Sequence, residues 1–180
     1  FGRGRFGGPP PRATKTVGMN RLVWDARYAD GLSAPPGAYQ ARLKVGSVVQ
    51  TEPFNLLIDP RVAAGGVTAA DLKEQYEHNV RVRSLGTAVG ELLSRVRNAM
   101  SAAQRDKATK LREIYEQIVN TPEGVRYNKP GLEEHVRYLG GMTANVDQKI
   151  GRDAIERYAE LKKEYDALKA QADALLGSGL

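Results

Sequence analysis

The sequence contains no cysteine and only two histidines, His78 and His135. Without cysteine there is no disulfide framework, thiolate zinc site or cysteine nucleophile. No apolar run approaches the roughly 20 residues that a helix needs to cross a bilayer. Neither histidine follows a glutamate by three residues, so the Glu-x-x-His spacing of di-metal helical proteins is missing. We therefore expect a non-enzyme without metal or cofactor, and we interpret both histidines as surface or helix-packing residues.

Charge is the next constraint. Basic residues outnumber acidic ones by 27 to 21, which gives a formal net charge of +6 over 180 residues. The excess is uneven, because the first 17 residues hold four basic residues and no acidic one: Arg3, Arg5, Arg12 and Lys15. The remainder is nearly balanced, which argues against a surface built as a whole to hold nucleic acid. Binding of nucleic acid through the N-terminal segment stays a weaker alternative.

Residues 1–16 are rich in glycine, proline and arginine and have no hydrophobic period, which predicts an extended basic arm or linker. Gly2–Gly7 fits the pattern G-x-G-x-x-G, but no strand precedes it and three prolines follow it, so we reject a dinucleotide site. The arm is also similar to RGG-type RNA-binding segments, with Phe1 and Phe6 as its aromatic residues. The first residue, Phe1, indicates a processed start or a piece of a longer chain.

Residues 17–60 read as three strands, because apolar and polar residues alternate with a period of two. The first strand is predicted over 21–28, the second over 39–45 and the third over 48–58. Gly46-Ser47 is a two-residue turn with glycine first, which favours a tight hairpin. Pro53 lacks a backbone donor and therefore predicts an edge strand or a bulge.

The predicted strands place large apolar side chains on one face, which three strands cannot seal by themselves. A closed sandwich needs about seven strands. We therefore expect this face to be covered by downstream helices or by a partner chain. Its members are Trp24, Tyr39, Leu43, Phe54, Leu56 and Ile58.

Residues 61–180 read as a hinge at 62–66 and four amphipathic helices. The predicted helices cover about 69–99, Ser101 to 120, a third from Pro130 that the glycine pair Gly140-Gly141 bends or stops, and 152–176. Thr68 and Asp71 predict the N-cap of the first helix. Gly86 and Gly90 weaken that helix but allow another helix to approach. Short links between the helices favour an antiparallel bundle, whose last helix has a heptad seam containing Tyr158 and Tyr165.

Asp25, Asp30 and Asp59 are the carboxylates from which an acid/base pair could be built in the β region. Asp25 shares a strand face with Arg21 and Arg27, so an exposed ion-pair row is the preferred interpretation. Asp30 and Asp59 stand beside Gly31 and Pro60, where aspartate is common in turns. The two seam tyrosines are interpreted as core or interface residues.

Three stretches carry a family resemblance: GMNRLVWDARY at 18–28, APPGAYQARL at 34–43 and DPR at 59–61. Together they resemble the C-terminal region of bacterial exported proteins with BNR/sortilin-like β-propeller repeats, which are often described as glycosyl hydrolases. The resemblance spans about 18–176 and implies a fibronectin-III-like unit followed by a helical tail. The propeller has no counterpart in this sequence, so the resemblance transfers no glycosidase carboxylates and implies an exported, non-catalytic module.

These observations predict an α+β chain with a basic arm at 1–16, a small antiparallel, incomplete β domain at 17–60 and a helical bundle domain at 61–180. We expect a non-catalytic, structural interaction protein, an extrinsic subunit of a larger bacterial assembly in the periplasm or outside the cell. Contact with a membrane surface is left open. The alternative is an accessory domain of a β-propeller hydrolase-like protein. The expected partner-binding residues are Arg3, Arg5, Phe6, Arg12, Lys15, Trp24, Tyr39 and Phe54.

Overall fold

The computed structural model describes residue 14 and the ranges 16–119 and 129–177. Within these residues the chain is α+β, with one two-stranded antiparallel sheet and five helices. None of the described helices is long and apolar enough to traverse a lipid bilayer. The elements are β1 Gly37–Val45, β2 Val48–Leu56, α1 Pro60–Ala64, α2 Ala69–Ala102, α3 Arg105–Val119, α4 Leu132–Ala144 and α5 Arg152–Leu176.

The chain divides into two compact units. The first unit comprises the described residues up to Glu77 together with Val146–Lys149, and it contains the hairpin, α1 and the start of α2. The second unit comprises His78–Asn145 and the described residues from Ile150 onward.

In the first unit, β1 and β2 form a hairpin with Val45 opposite Val48 and Gly37 opposite Leu56. Gly46 has a φ of 60°, which suits glycine at the first position of a two-residue hairpin turn. The predicted turn is therefore confirmed, as are the second and third predicted strands apart from their ends.

The first predicted strand is wrong. Residues 21–28 contain no strand, and only an isolated bridge joins Arg27 to Ser33. Ala26 has a φ of 57°, in the left-handed region, which interrupts any extended run. The backbone N–H of Tyr28 donates to the Leu32 carbonyl at 2.9 Å, so the chain folds back on itself there. The alternation of apolar and polar residues over 21–28 therefore occurs in a compact loop and not in a strand.

The predicted start of α2 is confirmed in detail. The Thr68 backbone N–H donates to Asp71 Oδ2 at 2.9 Å, and the Asp71 N–H donates to Thr68 Oγ1 at 3.1 Å. This reciprocal pair is a capping box. It lowers the pKa of Asp71, mainly through the hydrogen bond from the Thr68 side chain.

One predicted helix start is wrong, and of the bend or stop expected at a glycine pair the stop is absent. Ser101 does not start a helix, because α2 continues to Ala102 and the Ser101 hydroxyl donates to the Asn98 carbonyl at 2.7 Å. The glycine pair Gly140-Gly141 does not stop α4, which continues to Ala144. Gly140 faces α2, since a Cβ there would lie 3.5 Å from a Val82 methyl, an ordinary contact distance.

The second unit is built around a core to which α2, α3, α4 and α5 all contribute. Gly86 faces Val136 of α4, where a Cβ would lie at an ordinary contact distance of 3.6 Å, whereas a Cβ on Gly90 would have no neighbour within 4 Å. The predicted seam of α5 is confirmed as packing, because Tyr158 and Tyr165 are half-buried against the core. His78 is also buried there, with its ring 6.0 Å from that of Tyr158, as expected for a helix-packing histidine. The buried members include Val89, Leu92, Val96, Leu111, Ile118, Leu132, Val136 and Leu161.

A buried polar pair joins α2 to α4 within this core. Asn79 Nδ2 donates to the Thr143 carbonyl at 3.0 Å, and Thr143 Oγ1 donates to Asn79 Oδ1 at 2.6 Å. Both side chains are almost fully removed from solvent. Buried polar groups are costly when they lose their hydrogen bonds, so this pair fixes the relative register of the two helices.

We predict that Thr143→Val lowers the free energy of unfolding by about 1–3 kcal/mol, because it leaves the buried Asn79 amide short of a donor. Thr109→Val is the matched control, since Thr109 is exposed and its hydroxyl bonds the Arg105 carbonyl of its own helix. Urea denaturation followed by far-ultraviolet circular dichroism measures both. Equal losses in the two variants would contradict the role of the buried pair.

Candidate interaction surface: a β-hairpin anchored by aromatic residues

The predicted partner-binding residues divide into two groups. Arg3, Arg5, Phe6, Arg12 and Lys15 lie outside the residues that the structure describes. The other three, Trp24, Tyr39 and Phe54, lie together in the first unit.

Trp24 packs across the base of the hairpin. Its ring centroid lies 5.5 Å from that of Tyr39 and 5.9 Å from that of Phe54, while Tyr39 and Phe54 stack across the strands at 5.8 Å. All three separations fall in the favourable range for aromatic pairs. Tyr39 and Phe54 are opposite each other in the register, so the sheet itself places them side by side. We call these three residues the aromatic anchor.

The loop before the hairpin orients Trp24. The indole N–H donates to the Arg27 carbonyl at 2.7 Å, so the polar atom of the ring is satisfied locally. The Ala34 N–H donates to the Ala26 carbonyl at 2.8 Å and closes the loop. The indole is therefore held by its own loop while its apolar face covers the hairpin.

A second group of phenols extends this aromatic anchor. The Tyr39 hydroxyl donates to the Pro35 carbonyl at 2.6 Å and lies 3.4 Å from the Tyr28 hydroxyl. The Tyr28 ring in turn lies 5.0 Å from that of Tyr76. Burial, followed by the hydrogen bond and charge of Tyr28 and then the charge of Tyr76, raises the pKa of Tyr39 from its ordinary 10.0 to about 12.

The three carboxylates of this region share one structural role. Each accepts the backbone N–H of the residue two positions later: Asp25 from Arg27 at 3.2 Å, Asp30 from Leu32 at 2.9 Å and Asp59 from Arg61 at 2.8 Å. The turn interpretation of Asp30 and Asp59 is confirmed. For Asp25 the expected ion-pair row on a strand face is wrong, since this stretch is not a strand.

Asp59 is also the N-cap of α1. Arg61 donates to both of its carboxylate oxygens, with Nη2 at 2.6 Å from Oδ2 and Nε at 3.1 Å from Oδ1. The side-chain hydrogen bonds from Arg61, together with its backbone N–H, lower the pKa of Asp59 to about 2. Asp59 is therefore ionised and committed to a cap. Among the described residues, no group of three or more His, Asp or Glu side chains could hold a metal ion.

The edges of the hairpin differ from each other. In a two-residue hairpin the residues flanking the turn form a hydrogen-bonded pair, and such pairs alternate with non-bonded ones along the strands. Gln40 and Pro53 therefore form a non-bonded pair, whose backbone nitrogens face outward. Pro53 has no backbone N–H, so one of the outward-facing donors of β2 is missing. The outward-facing donors of β1 are all present. No third strand lies beside β1 among the residues that the structure describes.

The far end of the hairpin is uncovered. The aromatic anchor reaches only the base, and the side chains of Val45 and Val48 beside the turn are 65% and 69% exposed. The sequence predicted that the apolar face of the sheet needs a cover. In the described residues the cover is partial, and it is supplied by a loop that was predicted to be a strand.

We predict that the Tyr39 phenol ionises near pH 12. Because the folded chain favours the neutral phenol, its stabilisation is complete below pH 10 and is lost as the pH rises from about 10 toward 12. An ultraviolet titration of tyrosinate compares the wild-type chain with Tyr39→Phe, which should lack the highest transition. Tyr28→Phe should lower the pKa of Tyr39 yet leave it above 10, because burial is the larger cause. Loss of a transition near pH 10 in Tyr39→Phe would contradict the prediction.

Comparison of the chain with known proteins found no family model, no curated protein and no solved structure that matches it.

Proposed function

We propose that this chain is a non-catalytic structural protein, an extrinsic subunit that docks onto a larger assembly through the outer edge of β1. The observation that carries the proposal is the row of backbone groups along this edge, which no other described strand pairs. An open strand edge is a template for pairing with another chain. In such strand addition, main-chain hydrogen bonds supply affinity.

The composition of the edge supports a preference for β1 over β2. Outward donors on β1 come from the residues of its non-bonded pairs, namely Ala38, Gln40, Arg42 and Lys44. The corresponding row on β2 is interrupted at Pro53. A strand added to β1 can therefore form every ladder bond, whereas one added to β2 loses a bond at Pro53.

The same hairpin also has a depression that could select the side chains of an added strand. A shallow depression of about 640 Å³ is lined by residues of both strands, with Gln40 and Pro53 among them. Pockets that receive alternate side chains give specificity in strand addition. The aromatic anchor holds the hairpin in shape before a partner arrives, which reduces the ordering cost of binding.

The remaining parts of the proposal concern context. The basic arm, with Arg3, Arg5, Phe6, Arg12 and Lys15, would lie along the partner. The resemblance to exported proteins supports a location in the periplasm or outside the cell, and contact with a membrane surface is a separate part of the proposal. In this proposal α2–α5 form an antiparallel bundle.

A second candidate function is an accessory module of a β-propeller hydrolase-like protein, with the hairpin as part of a fibronectin-III-like unit. One observation favours it: Trp24 from the first motif stretch packs on Tyr39 from the second, and the Tyr39 hydroxyl bonds Pro35 of the same stretch. The motif residues therefore form one local structure. Sequencing the intact gene product tests this candidate, which requires a propeller upstream of Phe1.

The leading proposal predicts that a photo-crosslinking residue at Gln40, introduced in cells of the source organism, gives one adduct of defined mass. Adding Lys44→Pro to that chain should remove the adduct. Proline at this position deletes the outward backbone N–H of β1 but leaves the hydrogen bonds between β1 and β2 intact. Val49→Pro is the matched control, since Val49 is opposite Lys44 in the register and its donor faces the other edge. Denaturing electrophoresis and mass spectrometry of the tagged chain measure the adduct.

Both proline variants must keep the hairpin. The chain has a single tryptophan, Trp24, so its emission reports directly on the aromatic anchor. A chain that stays monomeric with no adduct at Gln40 would overturn the proposal, as would an adduct that survives Lys44→Pro and disappears only with Val49→Pro.

A further inference from the structure

The tip of the hairpin exposes apolar side chains on both faces of the sheet, three on one face and one, Val49 opposite Lys44, on the other. Leu43, Val45 and Val48 share one face, whereas Val49 lies on the other, since directly opposite residues lie on the same face and neighbours along a strand alternate. All four side chains are more than half exposed. A protein partner that packs on one face of the sheet would leave the apolar side chain on the other face exposed to water. The placement of apolar side chains on both faces therefore favours an apolar environment that surrounds the tip.

The charges near the tip are all positive. From Gly37 to Thr51 the only charged residues are Arg42 and Lys44, and the first acid is Glu52. With a rise of about 3.3 Å per residue, Lys44 lies about 3 Å and Arg42 about 10 Å back from Val45, while Glu52 lies about 13 Å back from Val48. Lys44 therefore lies within the apolar end of the hairpin, Arg42 lies behind it, and the acid is farthest from the turn.

This layering matches the edge of an anionic bilayer. Amphipathic surfaces bury about 5–10 Å of apolar depth at the boundary between headgroups and acyl chains. Anionic headgroups attract basic residues near the surface, and the Lys44 side chain is long enough to reach back to them. Pairing of two copies through fully overlapped β1 edges is disfavoured, because it would place Arg42 of one copy diagonally beside Arg42 of the other.

We propose that the hairpin tip, Leu43–Val49, inserts into the interfacial region of an anionic lipid bilayer. This inference goes beyond the proposed function, because it uses side chains at the tip and needs no protein partner. The purified full chain should therefore bind vesicles by itself, whether or not a strand is added at the β1 edge.

The test is sedimentation of the purified chain with vesicles of phosphatidylcholine alone or mixed with phosphatidylglycerol. We expect binding to the mixed vesicles that weakens as salt rises. Val45→Ser with Val48→Ser should weaken it at least tenfold, since both side chains lose their apolar contact. Arg42→Gln with Lys44→Gln should weaken it about fivefold per residue. Val146→Ser is the matched control, because this valine is 63% exposed elsewhere on the chain.

The basic N-terminal segment also attracts anionic vesicles, so the valine variants, which keep every charge, are the decisive comparison. A direct readout is available because the chain has no cysteine. Ser47→Cys gives one labelling site in the turn, and an environment-sensitive fluorophore there should move to an apolar environment on adding mixed vesicles. The same label at Lys163→Cys, an exposed position on α5, should stay in water.

Three results would overturn the proposal. The first is vesicle binding that the valine variants leave unchanged, and the second is a turn label that stays in water while the chain sediments. The third is self-association without lipid that depends on Val45 and Val48 in a chain that binds no vesicles, which would assign the tip to a second copy. Unchanged Trp24 emission in each variant shows that the base of the hairpin has kept its structure.

Discussion

Packing of Trp24 against Tyr39 and Phe54 is the interaction on which the hairpin depends. A two-stranded hairpin by itself is marginally stable in water. Aromatic pairs contribute about 0.5–1.5 kcal/mol each beyond the area that they bury, and Trp24 makes two such pairs. The indole can hold this position because its N–H is already bonded to the Arg27 carbonyl. The contact therefore sets which part of the sheet is covered and which part is left to interact.

The sequence predicted features that depend on neighbours in the chain. The Gly46-Ser47 turn needs only a glycine with positive φ, and the start of α2 needs only Thr68 and Asp71. Helix α5 ends where it was predicted, at Leu176, because the apolar seam stops there and Gly177 follows. Serine is ambiguous in this respect, since its hydroxyl can cap a helix or bond a carbonyl of the preceding turn. Ser101 does the second, and the sequence offers no local signal to tell the two apart.

The strand at 21–28 could not be judged from its own residues. An alternating pattern shows which side chains would share a face, but a strand also needs a partner strand within hydrogen-bonding distance. Here the loop folds back at Tyr28, and Trp24 reaches the sheet as a single side chain instead of as part of a third strand. The expectation that Trp24, Tyr39 and Phe54 belong to one apolar face was sound even though the element was wrong, because burial of large rings can be achieved by a loop as well as by a strand.

Under the two proposals the hairpin uses different groups for the two contacts, although β1 and the tip share the residues Leu43–Val45. Strand addition along β1 uses backbone donors in the plane of the sheet, whereas the tip uses the side chains of Val45 and Val48 above that plane. An added strand runs along the hairpin axis, and the turn at Gly46-Ser47 lies beyond its end. Insertion of the tip would therefore orient the partner strand relative to the lipid surface. The aromatic anchor makes this possible, since a hairpin held at one end keeps both its edge and its tip in a fixed relation.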